Sequence, residues 1–109
     1  MIYKLSLSNC EEELVLDAEV LHFLETDPDL SAMDFIQNLR RHDRGIVVYQ
    51  KSQKTADGGY LIETIYLHRL IAERFLTKPS IPAVLKFKNG NKLDCRLDNL
   101  EYHIDWNEH

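Results

Sequence analysis

The sequence predicts a small, single-domain α+β fold in which a β-hairpin and a helix lead into a C-terminal β-β-α unit. Three observations support this fold. The chain has 109 residues, 44% hydrophobic and 28% charged, as expected for one soluble domain. Two segments rich in β-branched and aromatic residues, 45–51 and 60–66, flank a polar link that contains Asp57-Gly58-Gly59. Apolar residues then recur at helical spacing up to Pro79 and Pro82.

The N-terminal elements follow from local patterns. Residues 2–7 alternate apolar and polar side chains, which predicts a half-buried strand, and residues 14–16 indicate a second, shorter one. Asp17 stands where a helix N-cap belongs, and Asp27-Pro28 ends that helix. Ser31 and Asp34 resemble a capping box, which predicts a second helix ending at Arg40, Arg41 and His42.

The C-terminal half contains the hairpin, a helix and a final unit. Leu67, Leu70, Ile71 and Phe75 form the apolar face of the helix. We expect a strand at residues 84–87, a turn at Asn89-Gly90, a second strand at residues 92–93 and a helix near Asp98. We therefore divide the domain into an acidic strand and helix region, residues 1–44, and the hairpin, helix and β-β-α unit, residues 45–109.

Several protein classes are excluded by composition. No apolar run approaches the roughly 20 residues of a membrane helix, and the N-terminus lacks a secretory signal pattern. Cys10 and Cys95 lie far apart without a Cys-x-x-Cys pair, which indicates neither a disulfide scaffold nor a cysteine zinc site. We expect a cytoplasmic protein with no membrane partner.

Charge is segregated along the chain, although the net charge is −5. Residues 1–35 carry nine acids and one lysine, whereas residues 36–92 carry eleven Lys and Arg and only four acids. The tail from residue 93 is acidic again. A basic centre between acidic flanks can present a positive face to a polyanion.

Two stretches carry a resemblance to a known family. The string Tyr66-Leu67-His68-Arg69-Leu70-Ile71-Ala72 precedes Asn89-Gly90-Asn91-Lys92-Leu93-Asp94, which continues to Arg96 and to Asn99-Leu100-Glu101. In order and spacing they resemble the HNH homing-endonuclease family, with matches over about the last 45 residues. The resemblance implies an HNH-like β-β-α finger and a phage, mobile-element or bacterial origin.

The catalytic positions that the resemblance implies are occupied by unsuitable residues. In the family, a histidine activates water, and the residue before it binds a divalent metal with a later asparagine. Alignment on Asn89-Gly90-Asn91 puts Lys86 at the metal-ligand position and Phe87 at the base position. Phenylalanine cannot accept a proton, and an ammonium repels a cation. We therefore predict no catalytic residue and no cofactor.

The remaining motif residues have weaker assignments. Asn99 matches the motif asparagine, and Asn99 and His103 are the metal-ligand candidates, although two ligands are too few. Asn99 can instead cap or brace the last element, and His103 can simply be exposed. The resemblance implies a structural role for His68, with a substitute catalytic role as an alternative.

Three functions remain open. The first is a degenerate HNH-like module that binds nucleic acid, with double-stranded DNA expected, without cutting it; its candidate contacts are Lys86, Lys88, Lys92, Arg96, Arg69 and Arg74. The second is an active nuclease with a displaced base, which alone would require a divalent metal such as magnesium. The third is a protein-interaction domain that uses acidic segments with Tyr102 and Trp106.

Overall fold

The computed structural model describes residues 1–104 and contains seven strands and three helices. In chain order they are β1 (Ile2–Leu7), β2 (Cys10–Asp17), α1 (Ala18–Thr26), α2 (Pro28–Ala32), β3 (Leu39–Arg41), β4 (Val47–Lys54), β5 (Tyr60–Tyr66), α3 (Leu67–Phe75), β6 (Ala83–Phe87) and β7 (Leu100–Ile104). Strands and helices are mixed along the chain, which confirms the predicted α+β class. In this part of the chain, no helix is long and apolar enough to cross a membrane.

The N-terminal hairpin agrees with the sequence pattern and is longer than predicted. β1 has the expected bounds and pairs antiparallel with β2, which runs over eight residues rather than three. The additional residues include Glu11, Glu12 and Glu13, whose side chains are exposed. Leu14 and Leu16, further along the strand, are buried. The helix after Asp17 is confirmed as α1, and Asp27 ends it.

The predicted second helix, from Ser31 to His42, is wrong. α2 starts at Pro28, covers five residues and is capped by the Asp27 side chain, which accepts a hydrogen bond from the Leu30 amide. Asp34 then has a φ of +52°, which stops helical continuation. A single 3₁₀ turn follows, and the chain then forms the strand β3. β3 pairs with β4, with Leu39 opposite Tyr49, and is an edge strand of the three-stranded sheet β3-β4-β5.

The hairpin and following helix are confirmed. β4 and β5 are antiparallel, with Val48 opposite Tyr66 and Lys54 opposite Tyr60. The apolar face of α3 is buried through Leu67, Ile71 and Ala72. The outer end of the hairpin extends from the core, since Tyr60, Leu61 and Ile62 are exposed.

The last part of the chain differs from the predicted β-β-α unit in two places. The expected strand at Lys92-Leu93 lies in a loop, and β6 pairs with β7 instead. The helix expected near Asp98 is only a 3₁₀ turn, Leu97–Asn99. The residues after it alternate between inward and outward positions, so they form β7 opposite β6. Trp106 lies outside the described residues.

Backbone hydrogen bonds join the N-terminal hairpin to the loop between β6 and β7. Val15 N donates to Leu93 O at 2.9 Å, and Cys95 N donates to Val15 O at 3.0 Å. The Asp17 carboxylate accepts a hydrogen bond from Leu97 N at 2.6 Å. The loop between β6 and β7 is therefore fixed against β2, and Leu93 and Cys95 lie in the same apolar core as Leu14 and Leu16.

Candidate nucleic-acid interface

The loop between β6 and β7 is organised by its asparagine side chains. Asn89 Oδ1 accepts from Asn91 N at 2.8 Å, and Asn91 Oδ1 accepts from Leu93 N at 3.1 Å. These local bonds stabilise successive turns. Gly90 has a φ of +76°, a backbone conformation that glycine adopts without strain.

The Asn99 side chain bonds to two other points of this loop. Its Oδ1 accepts from Asn89 N at 3.0 Å, and its Nδ2 donates to Asp94 O at 2.8 Å. The side chain is buried, with 4% of its surface exposed. The asparagine that matched the family motif therefore braces the loop between β6 and β7.

Asp94 and Arg96 form the electrostatic centre of the loop. Arg96 donates two hydrogen bonds to the Asp94 carboxylate, from Nε and from a terminal nitrogen, each at 2.7 Å. Asn89 Nδ2 donates to the same carboxylate at 3.0 Å. The bond from Arg96 is the main reason that the pKa of Asp94 is lowered. Much of the Arg96 charge is thus balanced within the protein.

Lys86 in β6 and Lys88 just after it are directed away from the core. Lys86 and Lys88 are exposed, whereas Leu85 and Phe87 are half-buried, as strand alternation requires. Lys86 lies opposite Glu101 of β7, a cross-strand pair of opposite charge. The position that the family resemblance gives to a metal ligand is therefore an exposed ammonium.

Phe87, at the position that the resemblance gives to the base, packs against His68. The two ring centroids lie 5.2 Å apart, with the planes tilted by 42°. His68 is 9% exposed, and its Nδ1 has no hydrogen-bond partner among the described residues. Burial, assisted by the neighbouring charge of Arg69, lowers the pKa of His68 to about 4. The imidazole is neutral at pH 7.

A cavity beside Phe87 collects positive charge. Lys86 and Lys92 line it together with His68, and no carboxylate contributes to its wall. Lys92 is held in place because its ammonium donates to Arg44 O at 2.7 Å. The structure thus brings together two of the predicted contacts, and Lys88 is exposed directly after the same strand.

Arg69 and Arg74 lie at opposite ends of α3. The Arg69 guanidinium carbon is 4.9 Å from the centre of the Tyr66 ring, near His68. That of Arg74 is 5.2 Å from the centre of the Phe23 ring. Arg69 therefore lies at the end of α3 that carries His68, whereas Arg74 packs on aromatic residues at the far end of the helix.

His42 and Arg44, in the turn between β3 and β4, were not predicted as site residues. They line a cavity shared with His68 and Arg69. The sequence pattern placed His42 at the end of a helix and predicted no turn that brings Arg44 beside α3. The signal that could have found it is Gly45, which has a φ of +91° and permits a tight turn.

The residues at the family's metal position do not fit a divalent cation. Lys86 is cationic, Phe87 has no lone pair, and the Asn99 amide is engaged on both sides. His103 is exposed on β7 opposite Val84. Among residues 1–104, no cluster of three or more His, Cys, Asp or Glu side chains could hold a metal ion.

One comparison with known proteins finds a similarity in the C-terminal part of the chain. Residues 65–103 match the family model described as HNH endonuclease. The match covers the end of β5, α3, the β6-β7 pair and the loop braced by Asn99. No curated protein and no solved structure matches the chain.

Proposed function

We propose that this protein, whose residues 65–103 are HNH-endonuclease-like, binds double-stranded DNA without cleaving it. The feature that supports the proposal is the pair Lys86 and Phe87, which the family resemblance aligns with the metal-ligand and base positions. This pair removes the groups that hydrolysis requires and leaves a positive charge where a phosphate would lie.

The chemistry near Phe87 supports binding without hydrolysis. A phenyl ring cannot remove a proton from water. The nearest imidazole, that of His68, has a pKa of about 4, far below that of an efficient base at neutral pH. Because Phe87 packs on His68, the ring also occupies space beside the imidazole.

The arrangement of basic residues supports a phosphate-binding surface. Lys86, Lys88 and Lys92 are exposed on β6 and the adjoining loop, and Arg69 is exposed on the first turn of α3. Such side chains neutralise backbone phosphates and position a protein on DNA without reading sequence. Arg96 and Arg74 complete the proposed set, with a smaller share because each already contacts groups of the protein.

The test compares two charge-reversal pairs in a titration with a fluorescently labelled duplex. Lys86→Glu with Lys88→Glu should lower affinity by more than tenfold and reduce the salt dependence of binding. The control pair, Lys4→Glu with Lys54→Glu, makes the same charge change elsewhere and should cost less. Equal losses in the two pairs would contradict the proposed surface.

A cleavage assay tests the second half of the proposal. The duplex should remain intact at saturating protein with magnesium or manganese. Cleavage that disappears in His68→Ala and His103→Ala variants would support the active nuclease instead.

A basic protein partner is a second candidate, favoured by the exposed acids of β2. Glu11 and Glu13 project from this strand, and Glu12 forms an ion pair with Arg41 at 3.1 Å. A pull-down that recovers a basic protein, and loses it when Glu11 and Glu13 become Gln, would support this function.

We also propose a cytoplasmic location, with which the free thiols of Cys10 and Cys95 are consistent.

A further inference from the structure

A cavity of about 340 Å³ lies where three elements meet beside α3. The turn between β3 and β4, the end of β5 and the first turn of α3 form its wall. Its lining residues are His42, Arg44, Ile46, Tyr66, His68 and Arg69. The first three lie outside the segment that matches the HNH model, so this cavity is not built from the family motif alone.

The cavity is positively charged. Arg44 and Arg69 are exposed at its wall, and no carboxylate lines it. Neither guanidinium takes part in an ion pair within residues 1–104. Asp43 is exposed next to Arg44 in the chain but does not line the cavity. Arg69 contacts the Tyr66 ring, but neither guanidinium is neutralised by a carboxylate, so both offer planar donor sets that match phosphate oxygens.

The N-terminus of α3 opens at the same place. Tyr66 is the N-cap residue, and its side chain makes no capping hydrogen bond. The first turn contains no acidic residue. The initial N–H groups of a helix have no partner inside the helix and carry a partial positive charge, so they favour an anion.

His68 gives an independent indication of a ligand. The residue is more than nine-tenths buried, it lines the cavity, and its Nδ1 has no hydrogen-bond partner among the described residues. Buried polar atoms of this kind are rare in folded proteins and require an explanation. A bound group that exchanges a hydrogen bond with the imidazole would supply one.

The opposite wall is already held in position. His42 N donates to Ile46 O at 2.7 Å, and Gly45 N donates to His42 O at 2.8 Å. Lys92 fastens the turn from outside through its bond to Arg44 O. The backbone that carries Arg44 is therefore organised before any ligand binds, which reduces the entropic cost of binding.

We propose that this cavity binds a single phosphate group between the guanidinium groups of Arg44 and Arg69, above the N-terminus of α3. The inference rests on the proposed function in one respect, since the expected source of the phosphate is a DNA strand. That source is either an internal phosphodiester or a 5′-terminal phosphate, and both present the same oxygens to the arginines.

The first test uses inorganic phosphate and the amide NMR spectrum of the full chain. Phosphate should shift the amide signals of Leu67, His68 and Arg69 saturably. The shifts should disappear in Arg44→Gln with Arg69→Gln and persist in the control Lys4→Gln. Absent shifts, or shifts equal in all three proteins, would overturn the cavity as a phosphate site. Unchanged chemical shifts elsewhere would show that the double variant is folded.

The second test uses labelled duplexes with and without a 5′-phosphate. Arg44→Gln with Arg69→Gln should weaken duplex binding roughly tenfold and lower the salt slope by about 2. A preference for the phosphorylated duplex that is lost in this variant supports a terminal phosphate, and equal affinity of the wild type for the two duplexes supports an internal one.

Full duplex affinity in the Arg44→Gln, Arg69→Gln variant, with loss of affinity in Lys86→Glu with Lys88→Glu, would overturn the cavity and leave the proposed function standing. Phosphate shifts without any duplex binding would support the cavity and contradict the proposed function.

Discussion

The imidazole of His68 and the phenyl ring of Phe87 are in contact, with ring centroids 5.2 Å apart and planes tilted by 42°. One belongs to the first turn of α3, and the other belongs to β6. The contact lies beside the position that the family resemblance assigns to the base, and it helps to keep the neighbouring histidine buried.

Burial of His68 should make stability depend on pH. Its pKa is about 4 in the folded chain and about 6.5 when unfolded, so the unfolded state binds more protons between these values. Stability should therefore fall as pH decreases through this window, by roughly 1–2 kcal/mol between pH 7 and pH 5. Urea denaturation at several pH values measures it. His68→Gln should flatten this dependence and His103→Gln should leave it; the same slope in all three proteins would contradict the assignment.

Asn99 should contribute strongly to stability. Asn99→Ala leaves Asn89 N and Asp94 O without their partners, which should cost on the order of 2 kcal/mol. The control Asp98→Ala changes an exposed neighbour and should cost less than about 0.5 kcal/mol. Chemical denaturation compares the free energies of unfolding. A stable Asn99→Ala variant would mean that the loop is held by other contacts.

Asp17 should connect the N-terminal hairpin to the family-like segment. Its carboxylate accepts the Leu97 amide, so Asp17→Ala should lower the free energy of unfolding by about 1–2 kcal/mol. Glu13→Ala removes a carboxylate that is exposed on the same strand and serves as the control. Thermal denaturation distinguishes them, and equal melting temperatures would refute the role of this bond.

The proposed DNA contacts should differ in strength. Lys88→Ala removes an exposed charge and should weaken duplex binding by about three- to tenfold, with a salt slope smaller by about 1. Arg96→Ala and Arg74→Ala should change affinity less, after allowance for any loss of folded protein. Anisotropy titrations at two salt concentrations rank the variants. A larger loss of duplex affinity for Arg74→Ala than for Lys88→Ala would contradict the proposed ranking of the contacts.

Composition and turn residues predicted the hairpin, and helical periodicity predicted α3 because its apolar residues Leu67 and Ile71 face the core. It failed at residues 31–42, where apolar spacing suited a helix but Asp34 adopts a positive φ and Leu39 pairs across to Tyr49. It also failed at β7, although the alternation of Leu100, Tyr102 and Ile104 with exposed residues was a usable signal.

The candidate site was only partly accessible from the sequence. Charge and the family motif identified Lys86, Lys88 and Lys92. They could not identify Arg44, because its approach to His68 depends on a turn formed by pairing between β3 and β4. They also could not show that Asp94 balances Arg96, since that depends on the fold of the loop.

The most direct test of DNA binding without cleavage is the anisotropy of a labelled duplex, followed over time with the wild-type protein and magnesium at two salt concentrations. We predict a saturable rise that weakens steeply with salt, with a slope of roughly −3.6 for four phosphate contacts, and that stays constant for hours. No rise at low salt, or a rise followed by a magnesium-dependent fall to the value of a short fragment, would contradict the account.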